Sequence, residues 1–584
     1  MSSSEQIFEG LGVSPGIGIG TAYVRDIGII AVPEYRIEPE KIADEVKRFR
    51  KAVARSRQQI RRMRAKTDTM HDAAGEEMGF LLDAYFHMLK GSRLVRGAEQ
   101  RITDGKLNAE AAVGAEIREI SLGFSAMKDP YLAARATDIR DVGNRVMRNL
   151  TKTPVKPFSM VPPGSIIVAE ELTPADTAQL NPDNVGGICT MLGGAEGHTA
   201  IMARALGLSA ALGAPGLMRG VNTGDTIIVD GNSGIVVVNP EAKTLAHYEN
   251  LSKEHEQEIQ RLDGLRKRRA VTLDGTEIEL QANVELPIEA EMVRRSGAAG
   301  IGLLRSEFMF MNRPDIPSED EQYEAIRKFV EHVNGRPVTI RTLDIGGDKI
   351  AAAMVKQFGN SITSALGLRG IRLSLAKPEI LETQFRAILR AGAHGKVRIL
   401  LPMVTTASEV RRARDIMARA ARRLKRRRVP ISLPLPPIGV MIEVPGAALA
   451  ADALAQAADF FSIGTNDLTM YTLAVDRSDK QVAHIYDSLH PAVLRLIQAT
   501  GDAALRARIP VAVCGEMAGE PRFAALLLGL GFRELSMTAS SIARVKQRIR
   551  SLDIVSADHR ARVIMDQVDS GRIATLLDDF NGLA

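Results

Sequence analysis

The spacing of apolar side chains changes three times along the chain, and each change predicts a different kind of structure. From about residue 6 to residue 32 the chain is rich in glycine, as in GVSPGIGIG (12–20), and the strand-like TAYV (21–24) follows. No helix start follows these glycines. A turn that leads into a strand is therefore a better interpretation than a loop that binds phosphate.

Between about residues 37 and 150 the apolar residues recur at helical spacing. The first such face consists of Ile42, Val46, Phe49 and Val53, and similar faces follow. The connections between them, such as TDGKLN (103–108), are short and polar. This pattern predicts a compact bundle of about four helices.

After Pro154 the pattern changes to short apolar runs that are typical of strands. These runs are SIIVAEE (165–171), VGGICTMLGG (185–194), TIIVDG (226–231) and GIVVVNP (234–240). The sequence therefore predicts an α/β domain made of residues 1–36 and 151–242, with the helical bundle inserted at 37–150. A charged segment without strands, 243–268, predicts an exposed linker helix that joins two bodies able to move.

The last part of the chain, 269–584, contains eight strand-like runs separated by helical segments. In order they are IELQANV (278–284), GIGLLRSEF (300–308), VTIRTLDIG (338–346), VRILLPMV (397–404), IGVMIEVP (438–445), FFSIGTNDL (460–468), VAVCGEMAG (511–519) and FRELSMTA (532–539). Eight repeats of strand and helix predict a (β/α)8 TIM barrel. The predicted fold class is thus multidomain α/β, with a swivelling α/β domain, an inserted bundle and a C-terminal barrel.

The composition restricts the class of protein. The chain has 584 residues, which is too long for one hydrophobic core. It is 45% hydrophobic, and no run approaches the roughly 18 apolar residues of a membrane-spanning helix. The N-terminus lacks the pattern of a signal peptide, and Cys189 and Cys514 fit a reducing compartment. We therefore expect a cytoplasmic protein.

The net charge of +6 is small for this length, and much of the basic excess lies in RRARDIMARAARRLKRRR (411–428). Ile416 and Met417 among the arginines indicate a helix with a solvated basic face. A patch that binds nucleic acid would carry the same charge. However, no aromatic residues interleave with the arginines, and no nucleic-acid-binding motif accompanies them. The solvated face is preferred, and neither a nucleic acid nor a membrane is expected as a partner.

Polar side chains close five of the eight barrel runs. They are Arg305 and Glu307, Arg341 and Asp344, Glu443, Asn466 and Asp467, and Cys514 and Glu516. The carboxyl ends of barrel strands form the active-site face. A single charge at a strand end is usually a solvated terminus or half of an ion pair, but five such ends predict a functional site.

The charges at this end indicate the class of ligand. Several arginines around one opening favour an anion with more than one negative group, because guanidinium binds phosphate and carboxylate with two hydrogen bonds. Glu443 and Asp467 lie one βα unit apart, which allows their carboxylates to share a cation such as Mg²⁺. Alternatively, the two carboxylates would bind no cation and would only balance the positive charge of the arginines. Together, the arginines and carboxylates favour a small phosphorylated carboxylic acid as the ligand, bound with Mg²⁺.

A second candidate site is GGAEGHTAIMARALG (193–207). His198 follows a glycine-rich turn and precedes a helical run, for which Thr199 is a candidate cap. The start of a helix favours an anion. Imidazole can carry a phosphoryl group on one nitrogen while a hydrogen bond holds the other. The remaining histidines lack such a motif and are interpreted as packing or surface residues.

Together these motifs resemble those of Enzyme I of the phosphoenolpyruvate-dependent phosphotransferase system, over nearly the whole chain. GGAEGHTAIMAR (193–204) resembles its phosphohistidine motif, and ELTPADTAQL (171–180) resembles the segment that faces the histidine. DIRDVGNR (138–145) resembles the end of the bundle that binds the acceptor protein. The family's substrate-site motifs are matched, in order, by LLRSEFMF, RTLDIGGDK, SIGTNDLTMYTLAVDR and CGEMAG.

The resemblance implies an activity and a role for each matched residue. Phosphoenolpyruvate would phosphorylate His198 with release of pyruvate, and the phosphoryl group would pass to a histidine of a small phosphocarrier protein, HPr or its nitrogen-related homologue. Glu443 and Asp467 would bind Mg²⁺, and Cys514 would protonate the enolpyruvate carbon, although such a thiol is usually a buried structural residue. A homodimer through the barrel is also implied. The substrate would be held by Arg305, Arg341, Asn466, Asp467 and Arg477, with Lys349 and Arg369 at further anion-contacting positions.

Several positions depart from the sugar-system pattern of this family. SITSALGLRGIR lacks the Asn-Pro that usually precedes Leu-Gly, Tyr85 stands where many members have histidine, and Ser209 replaces a common proline. IYDSLHPA, CGEMAGEP and SMTASSIARVK resemble the nitrogen-related branch. That branch usually carries an N-terminal GAF domain, which we do not expect in this chain. These differences do not change the predicted phosphoryl donor, phosphoenolpyruvate, but they leave two candidates for the carrier protein that accepts the phosphoryl group.

Two other functions are possible from the sequence. The histidine motif is shared with pyruvate phosphate dikinase and phosphoenolpyruvate synthase, but these need a nucleotide-binding domain and no Walker loop is present. A regulatory protein that senses phosphoenolpyruvate without turnover would not need His198, Glu443, Asp467 and Cys514 together. We expect instead a two-step reaction in which the domain that carries His198 swings between the barrel and the acceptor.

Overall fold

The computed structural model divides the chain into two compact units, Met1–Ile259 and Gln260–Ala584. The division falls inside a largely exposed helix, Ala242–Asp263, in the segment where the sequence predicts a linker helix. The structure describes residues 4–25, 34–67, 82, 85–90, 92–125, 130–151, 161–172, 176, 180, 184–194, 198–285, 289–310, 315–344, 365–476 and 481–582.

A sheet that has eight strands in the described residues lies at the centre of the first unit. Its strands are β1 (Gln6–Glu9), β2 (Leu11–Ser14), β3 (Ile17–Arg25), β4 (Ser165–Ala169), β5 (Val185–Thr190), β6 (Ala210–Leu212), β7 (Thr226–Asp230) and β8 (Ile235–Val238). They lie in the order β1-β8-β7-β3-β4-β5-β6-β2. Strands β3 to β6 are parallel neighbours, and the outer pairs are antiparallel. The sequence pattern does not predict β6, because a run of three residues is too short to show a period.

Alternate residues of the central strands build a separate apolar cluster on each face of this sheet. Ile167 and Ile188 belong to one cluster, and Ile166 and Ile227 belong to the other. All five residues of β4 are buried, as expected for a parallel strand covered on both sides.

The helical segment lies between β3 and β4 and leaves their pairing intact, with Ala22 opposite Ile166. Its long helices are Ile42–Thr67, Arg93–Thr103, Ala109–Ser125 and Pro130–Thr151. They pack around an apolar core of their own, which includes Phe49, Leu89, Ile102, Val113 and Val142. The segment therefore has its own core and is attached to the sheet as an insertion.

The second unit is a closed parallel barrel with eight strands in the described residues. These are β9 (Glu279–Val284), β10 (Ile301–Arg305), β11 (Val338–Arg341), β12 (Val397–Leu401), β13 (Ile438–Ile442), β14 (Phe460–Ile463), β15 (Val511–Val513) and β16 (Glu534–Thr538). The ring closes where β16 pairs with β9, with Glu534 opposite Glu279. Each predicted run contains one strand, so the predicted barrel is confirmed.

Helices surround the barrel because each parallel strand needs a crossover to reach the next strand. The longer ones are Glu289–Ser296, Glu319–His332, Pro378–Ala391, Ala407–Arg426, Thr465–Leu473, Pro491–Ala507, Pro521–Gly529, Ile542–Ile549, Ile554–Met565 and Ser570–Gly582. Shorter ones are Gly370–Ala376, Pro445–Leu449, Ala451–Ala455 and Glu516–Gly519. Ala407–Arg426 buries its apolar side and exposes most of its arginines, as the sequence predicts. None of the described helices is both long enough and apolar enough to cross a membrane.

Candidate active site

Arg305 and Arg341 are the last residues of β10 and β11, and the other predicted polar residues lie beyond the strand ends. β13 ends at Ile442, directly before Glu443, and β15 ends at Val513, directly before Cys514. The prediction that Asn466 and Asp467 close a strand is wrong, because β14 ends at Ile463 and both residues lie in the first turn of helix Thr465–Leu473. The chain enters the helix directly after the strand.

Three carboxylates meet at this end of the barrel. Asp344, Glu443 and Asp467 each offer an oxygen, and these oxygens all lie within 4.8 Å of one another. Asp344 and Glu443 are buried, and Asp467 is partly buried. Burial raises the pKa of Glu443 to about 8, and the negative charges of Asp467 and Asp344 act in the same direction. Buried carboxylates that crowd each other in this way fit a divalent cation, which would offset their charge.

Two arginines are tied to the same cluster. Arg369 donates from Nε and Nη2 to the two oxygens of Asp344, at 3.0 and 2.9 Å, and its Nη2 lies 3.5 Å from Asp467 Oδ2. Arg341 Nη1 lies 3.3 Å from Asp344 Oδ2, and its Nη2 donates to Glu307 at 3.1 Å. Burial would raise the pKa of Asp344, but Arg341 and Arg369 lower it overall. Asp344 therefore stays ionised and holds both guanidinium groups.

Arg305 is the third arginine at this end. It is the last residue of β10 and forms an ion pair with Glu285, which directly follows β9. Burial lowers the pKa of its guanidinium, and the positive charge of Arg341 acts in the same direction. Among the described residues, the buried Nε groups of Arg305 and Arg341 have no hydrogen-bond acceptor. Such donors suit an anionic ligand.

The Cys514 thiol is buried in the barrel interior. It packs with Leu303, Leu400, Met441 and Phe460, and its Sγ lies 3.5 Å from the carbonyl oxygen of Ile463. Burial raises the pKa of the thiol to about 11, so the group carries its proton at neutral pH. This state suits a proton donor better than a nucleophile.

Asn466 is held by Glu516 from the next barrel loop. Its Nδ2 donates to Glu516 Oε1 at 2.8 Å, and its Oδ1 accepts from the backbone N–H of Glu516, also at 2.8 Å. The two contacts fix the orientation of the amide. They also join helix Thr465–Leu473, after β14, to helix Glu516–Gly519, after β15.

Two residues of this site, Tyr471 and Met403, are not among the predicted site residues. Tyr471 accepts from Arg369 Nη1 at 3.1 Å and donates to the carbonyl of Ala365 at 2.7 Å. It lies one helical turn after Asp467, and that spacing was the available signal. The backbone N–H of Met403 donates to Glu443 Oε1 at 2.6 Å. No side-chain pattern could have indicated this contact, because the donor is a main-chain group.

His198 is the first residue of helix His198–Leu206, in the first unit, and its side chain lies outside the description. The next residue, Thr199, is buried, and its hydroxyl donates to the carbonyl of Leu172 at 3.2 Å. The start of this helix is therefore in contact with Leu172. Lys349 and Arg477, two other predicted site residues, lie outside the described residues.

Comparison with known proteins gives matches along the chain. Sequence models of PEP-utilising enzymes match it in three parts, the PEP-binding domain at 260–554, the N-terminal part at 9–135 and the mobile domain at 161–234. A phosphoenolpyruvate-protein phosphotransferase from Cupriavidus necator is 43% identical over 550 residues, which cover 92% of this chain and 93% of that protein. Proteins of the same name from Bacillus sp. (strain S) and Listeria monocytogenes are 38% identical, over 94% and 93% of this chain and 93% and 94% of their own.

Proposed function

Because this chain belongs to the phosphoenolpyruvate-protein phosphotransferase family, we propose that its His198 receives the phosphoryl group and passes it to a histidine of a small phosphocarrier protein. The phosphoenolpyruvate-dependent transfer itself is the activity shared by the family. The observation that carries the proposal is the grouping of Asp344, Glu443 and Asp467 with two arginines at the carboxyl end of the barrel.

Mg²⁺ is the metal proposed for this cluster. Glu443 and Asp467 would hold it, because carboxylate oxygens are its usual protein ligands. Asp344 lies beside them, but Arg369 occupies both of its oxygens, so we assign it to the arginines. When bound, Mg²⁺ would offset the negative charge on the substrate's oxygens.

The arginines would hold the anionic groups of phosphoenolpyruvate. Arg305, Arg341 and Arg369 keep their charge at neutral pH because guanidinium is so basic, and each has N–H groups suited to phosphate or carboxylate. Asn466 would add a neutral donor. The proposal for Lys349, Asp467 and Arg477 as substrate contacts rests on the sequence motifs alone.

The first chemical step would break the bond between phosphorus and the enol oxygen and form a bond between phosphorus and an imidazole nitrogen of His198. The enol carbon of the leaving enolpyruvate would take the proton of the Cys514 thiol, which gives pyruvate, and the thiolate would regain a proton from water. A high thiol pKa keeps this proton in place until the carbon becomes basic. In the second step the phosphoryl group would move from His198 to the carrier, which the bundle is proposed to bind.

Radiolabelled phosphoenolpyruvate tests the nucleophile. The full chain should take up label with Mg²⁺, and His198→Ala should take up none. His559→Ala is the matched control, because His559 is an exposed histidine of helix Ile554–Met565, and it should label normally. Equal labelling of wild type and His198→Ala would reject the assignment.

The same labelled chain tests the acceptor and the competing functions. Incubation with a sugar-type and a nitrogen-type carrier should transfer label to one of them. Net formation of phosphoenolpyruvate from ATP and pyruvate would support a dikinase or synthase instead. Binding of phosphoenolpyruvate without any labelling would support a sensor. Light scattering that shows a monomer at every concentration would count against the proposed homodimer.

A further inference from the structure

The carbonyl group of Cys514 accepts its hydrogen bond from a side chain rather than from the backbone of the neighbouring barrel strand. β15 ends at Val513 and pairs with β16 only through Ala512 and Val513. Beyond that point the Cys514 carbonyl accepts a hydrogen bond from Asn283 Nδ2 at 2.9 Å. Asn283 belongs to β9, which lies on the far side of β16. Its side-chain amide therefore reaches past β16 and bonds a carbonyl group that lies beyond the paired residues of β15 and β16.

The orientation of this amide is itself fixed. Asn283 Oδ1 accepts from the hydroxyl of Ser536 at 2.6 Å, and Nδ2 also lies 3.4 Å from the carbonyl of Ser536. Ser536 is buried. Gly302 provides the space, because a Cβ at that position would come within 2.7 Å of Ser536 Cβ. Asn283 is partly buried and is held in one orientation by its hydrogen bonds to Ser536.

The backbone N–H of Cys514 is bonded to β14, on the opposite side from β16. The backbone N–H of Cys514 donates to the carbonyl of Ile463 at 3.0 Å. With its N–H and its carbonyl both bonded, the main chain of Cys514 has little freedom to rotate. The direction of the Cα–Cβ bond, and hence the position of the thiol, follows from these two contacts.

We propose that Asn283 is a positioning residue that keeps the Cys514 thiol at the reacting carbon. This inference rests on the proposed function, in which Cys514 supplies the proton that converts enolpyruvate to pyruvate. Proton transfer needs the donor and acceptor atoms within hydrogen-bond reach, so a thiol free to turn away would slow this step. Binding of the substrate by the arginines would be unaffected.

A double-mutant cycle in the full chain tests the proposal. Asn283→Ala should slow pyruvate formation in a single turnover by about 10- to 100-fold, with little change in the concentration of phosphoenolpyruvate that gives half the maximal rate. In a Cys514→Ala background the same substitution should add less than about a twofold effect, because the group it positions is gone. Equal slowing in both backgrounds would overturn the proposal.

A second measurement does not depend on turnover. Alkylation of Cys514 by iodoacetamide, followed by mass spectrometry, should become several-fold faster in Asn283→Ala as the thiol gains freedom. Cys189 is the internal control, since it is a buried thiol in the first unit, and its rate should not change. An unchanged rate of Cys514 alkylation in Asn283→Ala would overturn the proposal that Asn283 positions the thiol. Faster alkylation in a chain that phosphoenolpyruvate does not label would keep the anchoring and reject the proposed function.

Discussion

Glu443 lies in an environment that differs strongly from that of a free side chain. It is buried beside two other carboxylates, and it accepts a hydrogen bond from the backbone of Met403. The pKa of Glu443 is raised to about 8 in the folded chain, above its ordinary 4.5. Proton uptake on folding therefore stabilises the metal-free chain at low pH, and this stabilisation is lost as the pH rises through about 8.

We expect Mg²⁺ affinity to increase with pH up to about pH 8, because below that value the metal must displace the proton of Glu443. Isothermal titration calorimetry between about pH 6.5 and about pH 8.5 measures the change. Two buffers of different ionisation enthalpy would reveal the released proton. Glu443→Gln should lose most of the affinity, and an affinity that does not change with pH would contradict the prediction.

Asp344 balances the charge of two buried arginines, and a substitution that removes its charge tests this role. We expect Asp344→Asn to lower the free energy of unfolding by about 3 kcal/mol, because it leaves Arg341 and Arg369 buried with less negative charge beside them. Asp452→Asn is the matched control. Asp452 forms an exposed ion pair with Arg506 at 2.9 Å, and its loss should cost less than about 1 kcal/mol. Urea denaturation of both variants compares them, and similar losses would contradict the prediction.

At the scale of secondary structure, the site depends on abrupt turns from strand to helix. Gly515 follows Cys514, and a Cβ on Gly515 would lie 2.7 Å from the backbone nitrogen of Thr465. Thr465 begins the helix that carries Asn466 and Asp467. The start of this helix therefore packs closely against the turn that follows β15.

We expect Gly515→Ala to reduce the free energy of unfolding by about 1 to 3 kcal/mol and to weaken substrate binding, because the added methyl pushes against Thr465. Gly446→Ala is the control, since nothing lies within 4 Å of a Cβ on Gly446, which also follows a barrel strand. That variant should stay within about 1 kcal/mol of wild type. Thermal denaturation and a substrate titration measure the two effects, and equal behaviour of the variants would be evidence against the close packing.

At the scale of the whole molecule, the proposed nucleophile and the proposed substrate site belong to different compact units. Helix His198–Leu206 lies in the unit Met1–Ile259, and the carboxylates lie in Gln260–Ala584. Each unit has its own apolar clusters. Substrate binding and phosphoryl transfer should therefore be separable by mutation.

We expect His198→Ala to bind phosphoenolpyruvate with Mg²⁺ within about twofold of wild type while losing all labelling, because changes in separate units act independently. Glu443→Ala should lose both properties. Calorimetry with unlabelled substrate, alongside the labelling assay, distinguishes the two cases. A large loss of affinity in His198→Ala would mean that the histidine takes part in binding.

The order of the elements follows from the sequence alone. Eight apolar runs separated by helical segments predict the barrel, and helical spacing between 37 and 150 predicts the inserted bundle. Arg305, Arg341 and Glu443 could be recognised because each polar residue ends an apolar strand or directly follows one. These features are local, since each depends on the period of one short segment.

The contacts within the site are decided by the tertiary structure. Asp344 meets Arg369 and Asn283 meets Cys514 only because the closed barrel brings distant strands together. The backbone donor at Met403 has no sequence signal. Asn466 and Asp467 are helical because the chain turns into helix Thr465–Leu473 immediately after β14, where Gly515 leaves room for Thr465. A sequence pattern indicates which residues are polar at a strand end, whereas hydrogen-bond partners depend on distances that arise only when the ring of strands closes.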